Sequence, residues 1–318
     1  MITEQDLKGV KDYLYYRDVK SDIGQYVEGK KDLIKADTTR WNPLDEHFKW
    51  LRTEITGFAG IPSHGKSKFV VFLSALKMFY DNWKVAVYSP ETSPSVFLFT
   101  NYLHTLTGKG LFGNNKPTRL EIKQFDNMLE NNLYLCDPEK MPTFKGIIER
   151  FKRAYEYHGV DMFIIDPFNC LEREWEHSQR DDRYVGDFLD HYKDFVKTTN
   201  TTGVVVMHPK GGLKPKKDSL DFECPTAYDL AGGAMWNNKL DNLVFVHRPY
   251  MISDFANSSV LLRFAKIKKK EIVGRGGDAD VDFDFKSNRY RHNGIMPDFS
   301  KEAEQLKANE GFNNEWPF

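Results

Sequence analysis

Residues 60–67 read Gly-Ile-Pro-Ser-His-Gly-Lys-Ser, the spacing G-x-x-x-x-G-K-[ST]. Those residue types suit one task, which is to wrap main chain around a polyphosphate. Gly60 and Gly65 let the backbone come close, so that N–H groups from Gly60, Ile61, Pro62, Ser63, His64 and Gly65 can line a cradle wherever a donor exists (Pro62 has none). Lys66 reaches the β and γ oxygens, and Ser67 ligates Mg²⁺. The motif needs a strand before it and a helix after it. The apolar run Ile55–Ala59 precedes it and a helical pattern opens at Lys66. The expected ligands are ATP or another NTP, with Mg²⁺.

Three further residues sit where such a site needs them. Asp161-Met-Phe-Ile-Ile-Asp166 is an apolar run ending in an acid, and ligands of open α/β sheets gather at the carboxyl ends of strands. Asp166 on a neighbouring strand is therefore the candidate metal partner of Ser67; a strand-end Asp before Pro167 also caps turns. Val85-Ala-Val-Tyr-Ser-Pro-Glu91 puts Glu91 just past another strand, as a base for the attacking water or as a helix N-terminal acid. Val204-Val-Val-Met-His208 ends a third strand with a side chain able to hydrogen-bond a γ-phosphate.

Those groups require a scaffold of alternating strands and helices. Apolar runs at Ile55–Ala59, Val85–Ser89, Leu133–Cys136, Met162–Asp166, Val204–Met207 and Leu243–His247 read as buried strands. The intervening segments Lys66–Asp81, Ser93–Thr107, Leu120–Asn131, Thr143–His158 and Tyr184–Asn200 read as helices. The alternation predicts an α/β fold with a mostly parallel sheet covered on both faces. Beyond Leu243 the runs Val260–Ile267, Val281–Phe285 and Arg289–Arg291 lack helices between them, which predicts an antiparallel C-terminal edge. The expected division is an N-terminal helical arm over 1–45, a catalytic domain over 46–296 and a flexible tail over 297–318.

The 318 residues are 40% hydrophobic and 29% charged, with 45 Lys and Arg against 46 Asp and Glu. A net charge of −1 gives no global signature of nucleic-acid binding, so any phosphate contact must come from local clusters. Cys136, Cys170 and Cys224 fit no zinc spacing and no disulfide framework. With no apolar run long enough to cross a bilayer and no signal-like N-terminus, the expectation is a reduced cytoplasmic protein of a bacterium or a phage-infected cell.

Taken together, G-I-P-S-H-G-K-S, Y-S-P-E, F-I-I-D-P-F-N, V-V-V-M-H-P-K and Y-D-L-A-G-G-A-M-W-N-N-K-L-D-N resemble, in order, the RecA-like motor domain of DnaB-superfamily replicative helicases. The similarity is to the branch of Twinkle and the phage primase–helicases, over roughly residues 35–292. The resemblance implies a RecA-like P-loop NTPase that forms a ring, usually a hexamer, and moves 5′ to 3′ on single-stranded DNA. Lys66 and Ser67 correspond to the Walker A pair, Asp166 to the Walker B acid, Glu91 to the catalytic base and His208 to the sensor.

The chain departs from that family where a trans-acting arginine is usual. Phe264-Ala-Lys-Ile-Lys268 carries Lys268 at that position, and lysine lacks the planar fork that grips a γ-phosphate. Arg275 is a nearby substitute or the ornament of a glycine turn. No zinc-binding or primase-like segment is read ahead of the motor. In the family, loops after the Asp166 and His208 strands face DNA. Here they hold Arg180 and Arg183, then Lys210, Lys214, Lys216 and Lys217, which suit backbone phosphates rather than bases. The stripe Ile2, Leu7, Val10, Leu14, Tyr15 reads as a subunit-contact helix or one folded back on its own domain. The ending Trp316-Pro317-Phe318 resembles tails that dock replication partners such as primase or DNA polymerase. Competing readings are a RecA/RadA-type recombination ATPase and an ATP-switch helicase loader or replisome adaptor.

Overall fold

A computed structural model describes residues 16–30, 34–112, 114–136, 142–173, 181–211, 213, 215, 217 and 219–300. Two compact units divide the chain, Met1–Ala36 and Asp37–Phe318. In the first, helix α1 (Tyr16–Val27) has no buried residue. The stripe from Ile2 to Tyr15 lies outside the described residues.

Among the described residues of the second unit, nine strands form one sheet in the order β3-β2-β4-β5-β1-β6-β7-β8-β9. They are β1 (Ile55–Ala59), β2 (Val85–Tyr88), β3 (Leu133–Leu135), β4 (Met162–Ile165), β5 (Thr202–Met207), β6 (Asn242–His247), β7 (Ser259–Ile267), β8 (Gly277–Asp284) and β9 (Arg289–Arg291). The first six pair in parallel and the last three antiparallel, as expected. Burial explains the difference. Every residue of β1, β2, β4, β5 and β6 is buried, which is why these strands read as continuous apolar runs. Strand β7 largely alternates buried and part-exposed positions, the mark of a sheet with one wetter face.

Helices α3 (Lys66–Asp81), α4 (Val96–Thr107), α5 (Arg119–Asn132), α6 (Phe144–His158) and α7 (Asp181–Thr199) connect the parallel strands. Local chemistry sets their ends. The Thr118 hydroxyl and the Glu121 carboxylate form a reciprocal capping box at α5, and Thr143 accepts from the Gly146 N–H at α6. Gly108 and Gly159 close α4 and α6 in the left-handed conformation. Three short helices, α2 (Asn42–Asp45), α8 (Gly233–Lys239) and α9 (Lys270–Val273), are too brief for periodicity to reveal. One core cluster packs Phe163, Phe188, Tyr192 and Trp236 around β4 and α7.

The expected boundary after residue 45 moves to 36. Asp37 bridges Trp50, and Trp41 and Leu44 are buried. Trp41 meets Phe72 of α3 edge-on, with ring centroids 5.3 Å apart. An amphipathic reading of the arm misses this, because the two side chains belong to the next domain's core. At the other end, Phe299 is buried against Phe79 and the Arg289 guanidinium. The chain is therefore packed through 300, and the rest of the expected tail lies outside the described residues. Trp41→Ala is expected to destabilise the protein by about 3–5 kcal/mol, the cost of emptying a buried aromatic site, read from denaturant unfolding.

Candidate nucleotide site

Four adjacent strands end at the same edge of the sheet, in the order β2, β4, β5, β1. They deliver Glu91, Asp166, His208 and residues 60–67 respectively. The sequence predicts Asp166 on a strand neighbouring the P-loop strand. It lies on the next strand but one, with β5 and His208 between them. The intervening strand gives the site its width and sets His208 between the loop and the acid.

The loop is shaped by its glycines. Gly60 has φ +153°, and a Cβ there would meet the Val246 carbonyl oxygen at 2.4 Å; Gly65 caps α3 with φ +96°. Helix α3 then starts at Lys66 with its N-terminus at the cradle, a favourable place for anions. The Lys66 ammonium donates to the Ile61 carbonyl at 2.8 Å, and the Ser67 hydroxyl donates to Asp166 Oδ1 at 3.1 Å. The Ser67 and Asp166 oxygens suit Mg²⁺, which prefers a few hard protein ligands completed by phosphate and water. No group of three or more His, Cys, Asp or Glu able to hold a metal occurs among the described residues.

Burial tunes the charges. It pushes Asp166 up to about 6, against the opposing pull of the Ser67 hydroxyl and Lys66. It also pushes Lys66 down to about 8, with Asp166 and Glu91 opposing. His208 is held below its ordinary range by burial and by Lys66. Its Nδ1 is buried with no hydrogen-bond partner among the described residues.

Several contributors escape a sequence reading. Tyr290 of β9 donates its hydroxyl to the Gly65 carbonyl at 3.1 Å while its ring packs on Phe69 and Phe72 of α3. On the other flank, His64 is buried and stacked on His247, and its Nδ1 accepts the Arg248 N–H at 3.0 Å. Burial, then the nearby His247, Lys66 and Arg248, hold His64 down to about 3. Asp221 braces the loop after β6 by accepting from the Ile252 and Ser253 N–H groups. Hydropathy at position 290 and the pair at 247–248 offer the only local signals.

No family model matches the chain. It is 24% identical over 290 residues to the Twinkle homolog protein, chloroplastic/mitochondrial, of Arabidopsis thaliana; the match covers 89% of this chain but 40% of that protein. Among solved structures, an isolated ATPase domain superposes with a TM-score of 0.70 at 14% identity, over 88% of this chain and 99% of that one. A DnaB-like replicative helicase, described together with its interactions with primase, gives 0.66 at 14% identity, over 88% of this chain and 67% of the other. The chain has the fold of a DnaB-superfamily helicase motor domain.

The chain places its two trans candidates at the opposite edge. Ile267 pairs with Asn242 at the start of β6, so Lys268 lies beside the beginnings of the parallel strands. Lys268 reaches Asp241 at 3.4 Å, an acid whose other oxygen accepts the Ile55 N–H and the Lys193 ammonium. Lys268 remains 58% exposed. Arg275 pairs with Glu46 at 2.7 Å, both well exposed. Of the DNA candidates, Arg183, Lys210 and Lys217 are exposed; Arg180, Lys214 and Lys216 lie outside the described residues, as do Trp316, Pro317 and Phe318. No helix among the described residues is long and apolar enough to cross a membrane.

Because folded His64 stays neutral to about pH 3 while the unfolded side chain protonates near 6.5, acidification favours the unfolded chain. The wild type should lose roughly 2 kcal/mol between pH 6.5 and 5 from this residue alone. His64→Asn, which can still accept the Arg248 N–H, should remove that slope in denaturant unfolding measured across the same range.

Proposed function

We propose that the chain is the motor of a ring-forming replicative DNA helicase that couples NTP hydrolysis to 5′–3′ translocation on single-stranded DNA and to duplex unwinding. The observation that carries the reading is the placement of Glu91, Asp166, His208 and the P-loop on one sheet edge, with Lys268 on the other. The loop backbone and Lys66 hold the triphosphate. Ser67 and Asp166 would hold Mg²⁺, which when bound would supply positive charge to neutralise the triphosphate. Glu91 orients water and accepts its proton. His208 senses the γ-phosphate from between the loop and the acid, and passes its presence to the loop that follows β5.

Lys268 cannot swing to its own P-loop past the length of a strand, roughly 15 Å for five residues. It serves a neighbouring copy's nucleotide, with Arg275 as the substitute. A hexameric ring supplies that neighbour, and the arm over residues 1–36 joins copies. Lys210, Lys214, Lys216 and Lys217, with Arg180 and Arg183, track the phosphates of single-stranded DNA. Primase and a DNA polymerase are the further partners, met through the tail ending in Phe318. A cytoplasmic setting belongs to this proposal, although the plant relative is named for organelles. One observation favours a slower ATP-switch adaptor instead: the trans position is a lysine already engaged by Asp241.

Two tests bear on this reading. Lys66→Ala and Lys268→Ala should each abolish DNA-stimulated turnover, and mixing the two proteins should restore part of it. In mixed rings an intact P-loop then meets an intact lysine from the next subunit. Absence of complementation, with turnover retained by Lys268→Ala, moves the role to Arg275. Separately, alanine at Lys210, Lys214, Lys216 and Lys217 should lower the salt dependence of single-strand affinity, by about 0.7 in log–log slope for each phosphate no longer neutralised. Affinity measured from low to moderate salt reads it, and an unchanged slope removes the loop from the DNA path.

A further inference from the structure

The turn Phe168–Cys170 follows Asp166 and Pro167 and opens the first candidate DNA loop. It is anchored from below. Phe168 is buried against Phe188 and Trp236, with ring centroids at 4.7 and 5.0 Å. It is also tied to both flanking strands. Asn169 Oδ1 accepts the backbone N–H of His208 at 3.4 Å, and the Cys170 carbonyl accepts the hydroxyl of Tyr88, on β2, at 3.3 Å. From that fixed backbone the Cys170 thiol reaches Glu91, donating to Oε1 at 3.5 Å.

Glu91 itself is exposed, on a segment that has left β2, and an exposed carboxylate on a loop samples many rotamers unless something holds it. We propose that Cys170 is a positioning residue for Glu91, its thiol holding the carboxylate toward Asp166 and the P-loop. The proposal rests on Glu91 being the base. Burial, then Glu91, pushes the Cys170 thiol up to about 11, so it carries its proton at neutral pH and acts as a donor. Glu91 and Asp166 are the charged groups that bear on it, with the Tyr88 hydroxyl at its carbonyl. A thiol is a weak donor. It can orient the carboxylate between turnovers and yield when water and proton arrive, where a lysine would hold the base in an ion pair.

The test uses the full chain with saturating single-stranded DNA. Cys170→Ala should lower kcat about three- to tenfold, the size of one weak hydrogen bond to a charge, with KM for ATP unchanged. Cys170→Ser, which donates from nearly the same place, should restore most of kcat. An alanine variant as active as wild type overturns the proposal, as do alanine and serine variants that are equally impaired. A second readout is independent of turnover. Alkylation of Cys170 by iodoacetamide, followed by peptide mass spectrometry across pH with Cys136 and Cys224 as internal controls, should give a lower midpoint in Glu91→Gln than in wild type. An unchanged midpoint overturns the pairing of thiol and carboxylate. If Glu91→Gln abolishes turnover while Cys170→Ala does not alter it, the positioning role alone falls. Undiminished turnover in Glu91→Gln removes the base reading and this proposal together.

Discussion

The site depends on keeping one carboxylate ionised where water is scarce. Asp166 is 7% exposed, and burial raises it from 3.8 to about 6, a cost on the order of 3 kcal/mol for the charged form. The Ser67 hydroxyl and the Lys66 charge offset part of what burial would otherwise impose. Neither partner is free to move. Ser67 and Lys66 begin a helix packed on the sheet, and Asp166 ends a strand buried along its length. The hydrogen bond at 3.1 Å therefore ties the spacing of β1 and β4 to the chemistry, and that spacing is filled by β5. Any loss of the parallel register between β4, β5 and β1 would separate the acid from the hydroxyl and leave a buried charge unpaired.

Much of this is legible without the fold. The loop at 60–67 is local, so its residues announce themselves by spacing alone. Asp166, Glu91 and His208 each end an apolar run, and the rule that ligands gather at strand ends is enough to select them. Most strand boundaries read from hydropathy fall within a residue or two of those observed. Strand β8 is the exception: it starts at Gly277 rather than Val281, because Asp278 and Asp280 face outward on a sheet edge and hide its first half from a search for apolar runs.

What escapes is long-range. Tyr290 meets Gly65 across 225 positions of sequence, and the Arg248 N–H meets His64 across 184. These contacts exist because β6 lies beside β1 and β9 folds back over α3, and strand order is not written in any local pattern. The same limit hides the strand between Asp166 and the P-loop. Trp41 and Leu44 read as part of the arm for a related reason. A short helix of four residues shows no period, and the aromatic surfaces of Phe72 and Tyr290 explain why a tryptophan stands beside it.

The two sheet edges bear on each other through β1 and β6. At one end β1 feeds the phosphate loop, and β6 ends in the His247–Arg248 pair that braces His64. At the other end Asp241, just ahead of β6, accepts the Ile55 N–H at the start of β1, together with Lys193 and Lys268. Asp241 is buried and carries two ammonium partners, so drawing Lys268 away to another anion leaves Lys193 in place and the buried carboxylate paired. An acid with a single cationic partner would resist that release, because the departure would strand its charge. Lysine is suited to the exchange: it is a compact charge on a flexible stem, free of the fixed fork that commits arginine to one geometry. In the proposed ring, Lys268 could therefore leave for another anion while the Ile55 N–H and Lys193 stay in place on the other Asp241 oxygen.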